Sequence, residues 1–561
     1  MSLVAGLDVG NTTTEVVIAD TSASPPAPVA WDRQPTRGHK GSDEALRGAA
    51  ALVRRLERRT GRPVDAVVAT SQRPVVTATV SLPRAAPQTG RLEVVPVRGS
   101  TPGGQGTAVG TPVRLDDQEP AHRGPVVLLV PSGFGFQAAA HLIGGRIAAG
   151  DDVRGVLVAD DEGVLVAARL PAVLPICDEV DVDRLTGASL VAVEVRAPGH
   201  PLRDLVDPIR LSALLGLPDG ERADAAAVAG TLEDASRAVV AVRAHAHPAS
   251  PGPRLAVTFT SGEEAFELSP AELATRGVGG VAHLAIPGQV DWAVDDLWAV
   301  ELRELATSTA LRLQPSTARA LVVAALHAEP AARDPRAVLE GELGAEVLVV
   351  ASEPAAARAG ALSTPRANPG ATVVDLGGGT VDVIGPEGRR AVAAGAGEML
   401  TATVSTYLGV PRGAADWIKR GPCVRLEAPH VVLAEDGSRT FTDESVAREA
   451  TGSLAAPGPA GLLAFGADMA PAEWRALRIR AKERVLVDNV VRALRTLDAS
   501  PAELVLVGGA AADEELLTLV RRAVPGAVVG RADVAGRLGH RHAVAYGLLL
   551  LAGDQPAATA P

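Results

Sequence analysis

Aromatic residues make up only 2% of this 561-residue chain, and cysteine occurs twice. So few rings exclude base-stacking platforms and aromatic cages as its main binding surfaces. Cys177 and Cys423 form no CxxC and no Cys/His cluster. That excludes a disulfide framework and a thiolate zinc site, and it fits a reducing cytoplasm. Lysine is nearly absent: Lys40, Lys419 and Lys482 are the only ones among 54 basic residues. A GC-rich genome explains that bias better than chemistry does, and it makes each surviving lysine worth a look. Acidic residues number 66, and the formal charge of −12 leaves no global positive field for a nucleic acid or an anionic membrane. No apolar run, GLLLLAG near the end included, reaches the ~18 residues of a spanning helix. The opening MSLVAGLDVGNTTTEVV reads as an acid-bearing strand rather than a basic leader before an apolar core. The expectation is a soluble, cytoplasmic protein with no nucleic-acid or membrane partner.

What is abundant is small. Hydrophobic residues reach 47%, chiefly Ala, Val and Leu, enough for the several domains of ~150 residues that the length suggests. Residues 3–20 read as strand, tight turn, strand. A helix follows at about 42–60, opened by Ser42-Asp43 and closed by Gly61 and Pro63, with DAVVATS as the next strand. From about 88 to 256 the texture changes to a Gly/Pro-rich entry, a buried strand PVVLLV, a helix near 136–148, and short strands VRGVLVAD and GVLVAAR, as expected of an inserted unit. Helical patterns are read at 295–311, 316–328 and 335–343, then the strand AEVLVVA, an Ala-rich helix, and a strand and turn at 371–385. The 408–468 stretch reads as an irregular small insertion. A long helix at 471–497, the strand ELVLVGGAA, a helix near 541–552 and a disordered tail complete the chain.

One internal repeat stands out. Asp8-Val9-Gly10-Asn11-Thr12-Thr13-Thr14-Glu15 and Asp375-Leu376-Gly377-Gly378-Gly379-Thr380-Val381-Asp382 both follow apolar strands and precede another β run. Aspartate, glycine, threonine and the final acid keep their offsets. Glycines let such a turn approach a phosphate, threonine hydroxyls add donors, and the strand-end Asp can hold hydrated Mg²⁺. A third glycine-rich crossing follows at Gly508-Gly509-Ala510. Weaker candidates are the pairs His245/His247 and His540/His542, whose strand-like spacing suits a metal but lacks a third ligand. Phe134 and Phe136 read as core plugs. No Ser-His-Asp, Cys-His or paired catalytic-glutamate arrangement stands out.

These segments resemble the actin-like ATPase superfamily. Within it, TPGG at 101–104 and DEGVLVAARL with LPICDEV at 161–180 are similar to the large subunit of diol and glycerol dehydratase reactivating factors. GAGEML at 395–400, AKERV at 481–485 and VLVGGA at 505–510 extend the likeness over most of the chain. The resemblance implies an α/β fold: an actin-like core of two duplicated ribonuclease-H-like halves (1–87, 257–407 and 469–552), a swivelling α/β domain at 88–256, a small insert at 408–468 and a tail at 553–561. It implies ATP-dependent release of damaged cobalamin from an adenosylcobalamin-dependent dehydratase. The implied partners are that dehydratase and a small subunit, in a heterotetramer of two large and two small chains. The rivals are a metabolite kinase and a nucleotide-gated scaffold without hydrolysis.

Carried over by position, Asp8 and Asp375 act on Mg–ATP or Mg–ADP. Gly10, Asn11, Thr12 and Thr13 form the first phosphate loop, and Gly377, Gly378, Gly379 and Thr380 the second. Gly395, Ala396 and Gly397 match a turn near the nucleotide, Lys482 and Glu483 a helix facing the nucleoside, and Gly508, Gly509 and Ala510 the adenosine loop. For Lys482 a solvated helix face is the plain alternative. At His542 the family usually has Asn, which puts that helix start in doubt. Thr101, Asp161 and Asp178 match oxygen ligands of a second cation, Mg²⁺ or Ca²⁺, at the small-subunit contact. Taken singly, each is ordinary turn or surface chemistry.

Overall fold

Two five-stranded sheets repeat one plan. In the computed structural model, Leu3–Val9 and Thr13–Asp20 form the expected hairpin, and Ala27–Pro35 adds an antiparallel neighbour. Ala66–Thr70 and Glu346–Val350 extend the other edge as parallel strands. In the second sheet Thr372–Leu376 and Thr380–Ile384 form the hairpin, with Arg390–Ala394 antiparallel outside. Glu503–Val507 and Val528–Arg531 are its parallel strands. The registers agree to the residue: Asp8 faces Glu15, and Asp375 faces Asp382. The described residues are 2–553 except 39, 72–76, 84–87, 96, 98–102, 118–123, 198–199, 233–234, 248–254, 260–265, 269–271, 274, 287–289, 306–318, 328–332, 351, 444–449 and 467–468. The tail from 554 lies outside them.

Helices Glu353–Leu362 and Ala543–Gly553 share a core with both sheets, where their alanines meet Val17, Val68, Val373 and Val505. They cross at backbone contact. A Cβ on Gly360 would stand 1.8 Å from the Ala543 carbonyl oxygen, and one on Gly547 1.8 Å from that of Ala356. The chain's wealth of Ala and Gly is spent at such crossings. Asp43–Thr60 covers the first sheet, capped by Ser42 at its start and ended by Gly61 at φ 71°.

The chain divides into two compact units, one of Met1–Ser81, Arg254–Glu301 and Leu321–Pro561, the other of Leu82–Pro253 and Leu302–Ala320. The second unit is α/β. Its seven-stranded mixed sheet includes Pro125–Val130 and Asp152–Val158, and Phe136–Ala148 packs on it. Phe134 and Phe136 flank that core, half-buried.

Four readings are corrected. The expected helices at 295–311 and 316–328 are, where described, mainly antiparallel strands, Val290–Glu301 and Arg319–His327. The first hides its alternation because one inward position, beside Val294, Trp298 and Val300, is the acid Asp296. Gly279 and Ala394 N–H groups and Arg492 satisfy that carboxylate. GVLVAAR is the helix Gly163–Ala167, burying Gly163 and Val166 one turn apart. Asp161 therefore leads into a helix. The small insert is regular: Val424–Ala428, Val431–Ala434, Arg439–Phe441, Leu454–Gly458 and Gly461–Phe465 form an antiparallel sheet. Strands this short, over a core of Leu426, Val432 and Ala455, leave little pattern to read. The long helix is Pro471–Lys482 and Asp488–Thr496 joined by a π-helical turn, Glu483–Val487. Trp298 Nε1–H donates to the Arg484 carbonyl in that turn at 2.8 Å.

Candidate functional site

The two Asp-Gly loops are closed by the same hydrogen bond. Gly10 N–H donates to the Thr13 carbonyl at 3.0 Å, and Gly377 N–H to the Thr380 carbonyl at 3.1 Å. Thr36 braces the first loop, its N–H reaching the Thr12 carbonyl at 3.0 Å and its hydroxyl the Gly10 carbonyl at 2.8 Å. Helix Gly397–Leu408 braces the second: Gly397 and Glu398 N–H groups bond the Gly377 and Gly378 carbonyls at 3.2 and 2.7 Å. The loops abut, since a Cβ on Gly378 would lie 2.5 Å from Thr12 Oγ1. Among the described residues nothing accepts from the N–H groups of Gly378 and Gly379. Paired donors of this kind suit a phosphate oxygen.

Both loops line one cleft of about 2030 Å³, which Gly508, Gly509 and Ala510 also border. That exceeds the ~300–1,000 Å³ of ordinary small-ligand sites. Gly508, at φ 88°, presses on the second loop: a Cβ there would stand 2.3 Å from Asp375 Oδ1. Gly397 lies on the cleft wall, whereas Gly395 sits behind it, its N–H on the Gly379 carbonyl and its own carbonyl held by Asn489 at 2.8 Å. Ala396 is the buried residue between them.

Among the carboxylates that line the cleft, Asp8, Glu15, Glu353, Asp375 and Asp382 act on one another's charge, and Lys40 lies with them. Lys40 Nζ bonds both Glu353 oxygens, at 2.9 and 2.8 Å. Burial, with Glu353 next, raises the Asp8 carboxyl well above its usual range. Burial and Asp382 push Asp375 up to about 7. Asp382 rises to about 6 through burial, although the Thr380 hydroxyl bonded to it pulls the other way. Burial opposes charge on Lys40, yet Glu353 and Asp8 more than offset it and raise its ammonium.

Such an acid excess fits a cation that the chain does not supply. Among the described residues no three His, Cys, Asp or Glu side chains group closely enough to hold a metal alone. Mg²⁺ suits that restraint, because it keeps several waters and takes phosphate oxygens instead of a full protein cage.

Lys40, Glu15, Glu353 and Asp382 were not singled out as site residues from sequence. The rarity of lysine and the conserved offset of the acid in both loops were the available signals. Lys419 follows the same logic: its Nζ holds the Gly397 carbonyl at 2.7 Å and Asp416 at 2.9 Å at the cleft edge. Lys482 differs from expectation. The described cleft wall includes Asp513 but neither Lys482 nor Glu483. Lys482 is fully buried, bonded to Asp513 and, at 2.7 Å, to Glu515, while Glu483 pairs with Arg480 at 3.5 Å. Its side chain is turned into the core, where it holds Asp513 of the cleft wall.

The remaining candidates separate. His540 and His542 are not on a strand; they form the turn before Ala543–Gly553, with His542 at φ 61° donating its N–H to Glu15 at 2.7 Å. His245 lies exposed on Arg237–His247. In the second unit, Thr101 falls outside the described residues. Asp178 is buried, with one oxygen 3.0 Å from Arg237 and Oδ2 buried without a hydrogen bond. Burial raises its carboxyl, Arg237 works against that, and the exposed Asp161 adds to the rise.

Two halves of one plan, with their glycine loops opening on one cleft, define the actin-like ATPase class of fold. Within that class the chain belongs to the diol dehydratase reactivase family. Residues 288–552 match the diol dehydratase reactivase ATPase-like domain, and 94–246 the DD-reactivating factor swiveling domain. The chain is 30% identical to the propanediol dehydratase-reactivating factor large subunit of Citrobacter freundii, over 98% of each. It is equally similar, at 30% over 98% of each, to the diol dehydratase-reactivating factor large subunit of Klebsiella michiganensis. Among solved structures it matches diol dehydratase-reactivating factor in nucleotide-free form, with TM-score 0.69, 25% identity and coverage of 99% of this chain and 100% of that one. Glycerol dehydratase reactivase matches with TM-score 0.68 and 26% identity, over 99% and 100%. No helix among the described residues is long and apolar enough to cross a membrane.

Proposed function

We propose that this protein is the nucleotide-driven large subunit of a cytoplasmic reactivating factor, which binds and slowly hydrolyses ATP to free damaged cobalamin from an adenosylcobalamin-dependent diol or glycerol dehydratase. The observation that carries the reading is the pair of identically closed loops, whose unpartnered Gly378 and Gly379 N–H groups line an acid-rich cleft. In this reading Gly10, Asn11, Thr12, Thr13, Gly377, Gly378, Gly379 and Thr380 hold the phosphates, and Gly508, Gly509 and Ala510 border the nucleoside. Asp8 and Asp375, with Asp382 and Glu353, would hold hydrated Mg²⁺, which when bound neutralises phosphate charge. Lys40 keeps Glu353 in place.

The partners follow from the family. A small subunit would join in a heterotetramer of two large and two small chains, and exchange of that subunit with the dehydratase would be the lever. Asp161 and Asp178, with Thr101, would share Mg²⁺ or Ca²⁺ with the small subunit. The buried, unbonded Asp178 Oδ2 supports that role. A kinase would need a pocket with a base for a substrate hydroxyl, and among the described residues of the cleft no feature favours one.

Purified protein with Mg–ATP alone should release phosphate. Asp8→Ala and Asp375→Ala should each lower turnover about 10-fold or more, on the order of 1.4 kcal/mol per decade. Unchanged turnover in both variants would contradict hydrolysis at this site.

A further inference from the structure

A second cavity, of about 480 Å³, shares part of its wall with the cleft: Arg33, His540, Arg541 and His542 line both. Trp31 and Arg59 complete much of the second one, and Arg537 stacks over the Trp31 ring at 4.9 Å. Four guanidiniums therefore converge here in a chain of net charge −12. The acids nearby are Asp32, which pairs with Arg55 at 3.0 Å and Arg59 at 3.5 Å, and Glu15, 3.5 Å from Arg541. Arg33 is exposed, and its guanidinium makes no hydrogen bond or ion pair among the described residues.

Two further groups are unsatisfied. His540 Nε2 and His542 Nδ1 are buried without hydrogen-bond partners, and the nearest charge to the latter is Glu15 at 3.6 Å. Burial holds both imidazoles below their ordinary range, with Glu15 opposing it and Arg541 adding to it. A neutral imidazole keeps one N–H and chooses its tautomer, so each can donate to a ligand. Helix Ala543–Gly553 begins at this wall and adds the positive end of its dipole. Buried donors beside the free guanidinium fork of Arg33 call for an oxyanion.

We propose that this cavity is an anion site separate from the nucleotide loops, taking a tetrahedral phosphate-type oxyanion between Arg33 and Arg541 with His540 and His542 as additional donors. The volume admits a free phosphate or the phosphate of a small organic ligand. The site uses no residue of the two phosphate loops, although it shares a wall with the cleft and Arg541 donates to the Gly509 carbonyl at 3.2 Å.

The test is calorimetric titration of inorganic phosphate, and in a second arm glycerol 3-phosphate, into the full chain saturated with ADP. One phosphate should bind per chain. Arg33→Ala removes an exposed, unpaired side chain and should weaken binding at least 10-fold without lowering Tm, and Arg33→Lys should fall between. Gly378→Val, which fills the loop junction, should leave phosphate binding intact in ADP-free protein. Tighter binding in the second arm would assign an organic phosphate, and equal or weaker binding a free one. Absence of binding to wild type, indifference to Arg33→Ala, or loss in Gly378→Val would each overturn the proposal.

Discussion

Asp375 stands among Asp8, Glu353 and Asp382 in a cleft where Lys40 is already committed to Glu353. Its carboxyl, about 7 in the folded protein against 3.8 when free, keeps a proton that the unfolded chain loses between those values. Its contribution to stability is therefore fully present below about pH 4 and is lost as pH rises through about 7. The Tm contribution of this group in nucleotide-free protein should fall between about pH 4 and 7 and level off above that, and Asp375→Asn should flatten that slope. Some slope should remain, since Asp382 titrates near 6. Mg–ADP should raise Tm more at about pH 8 than at about pH 6, because bound cation replaces the proton. A slope untouched by the variant would mean the acids are not coupled to the cleft. Lys482 makes a different case. Removing it leaves Asp513 and Glu515 short of a buried cation, so Lys482→Ala should cost about 3 kcal/mol of stability by denaturant titration. Unchanged stability with weaker ADP binding would return Lys482 to the nucleoside contact that its sequence match implies.

Elements were legible where local chemistry dictates them. Both loop hairpins, the Ser42-capped helix and the alanine-rich Glu353–Leu362 follow from periodicity, caps and turn residues. Val290–Glu301 was not, because Asp296 is an inward acid whose partners, Gly279, Ala394 and Arg492, come from distant segments. The lysines tell the same story at the site. Their rarity drew attention, but only the fold shows that Lys40 reaches Glu353, 313 residues away, and that Lys482 turns inward. The helix crossing offers an element-scale test. Gly360→Val would drive a side chain into the Ala543 carbonyl, beyond the ~1–3 kcal/mol of ordinary overpacking. It should yield little soluble folded protein by circular dichroism. A folded variant with wild-type Tm would contradict the crossing.

At the scale of the whole molecule, the duplication was visible as two loops with matching offsets, and the registers of Asp8 with Glu15 and Asp375 with Asp382 give it structural form. Which strands close each sheet was not visible. Glu346–Val350 returns to pair with Ala66–Thr70 across the whole second unit, and no local pattern encodes a partner that distant. In the proposed cycle, nucleotide occupancy of the cleft governs exchange of a small subunit. Its most direct test starts from a diol or glycerol dehydratase stalled with damaged cobalamin. The protein and its small subunit are added with Mg–ATP and free adenosylcobalamin, and dehydratase activity is followed. The account predicts that activity returns with wild type and ATP, and fails to return when ATP is omitted or Asp8→Ala is used. Recovery that is the same without nucleotide, or none with wild type and ATP, would contradict it.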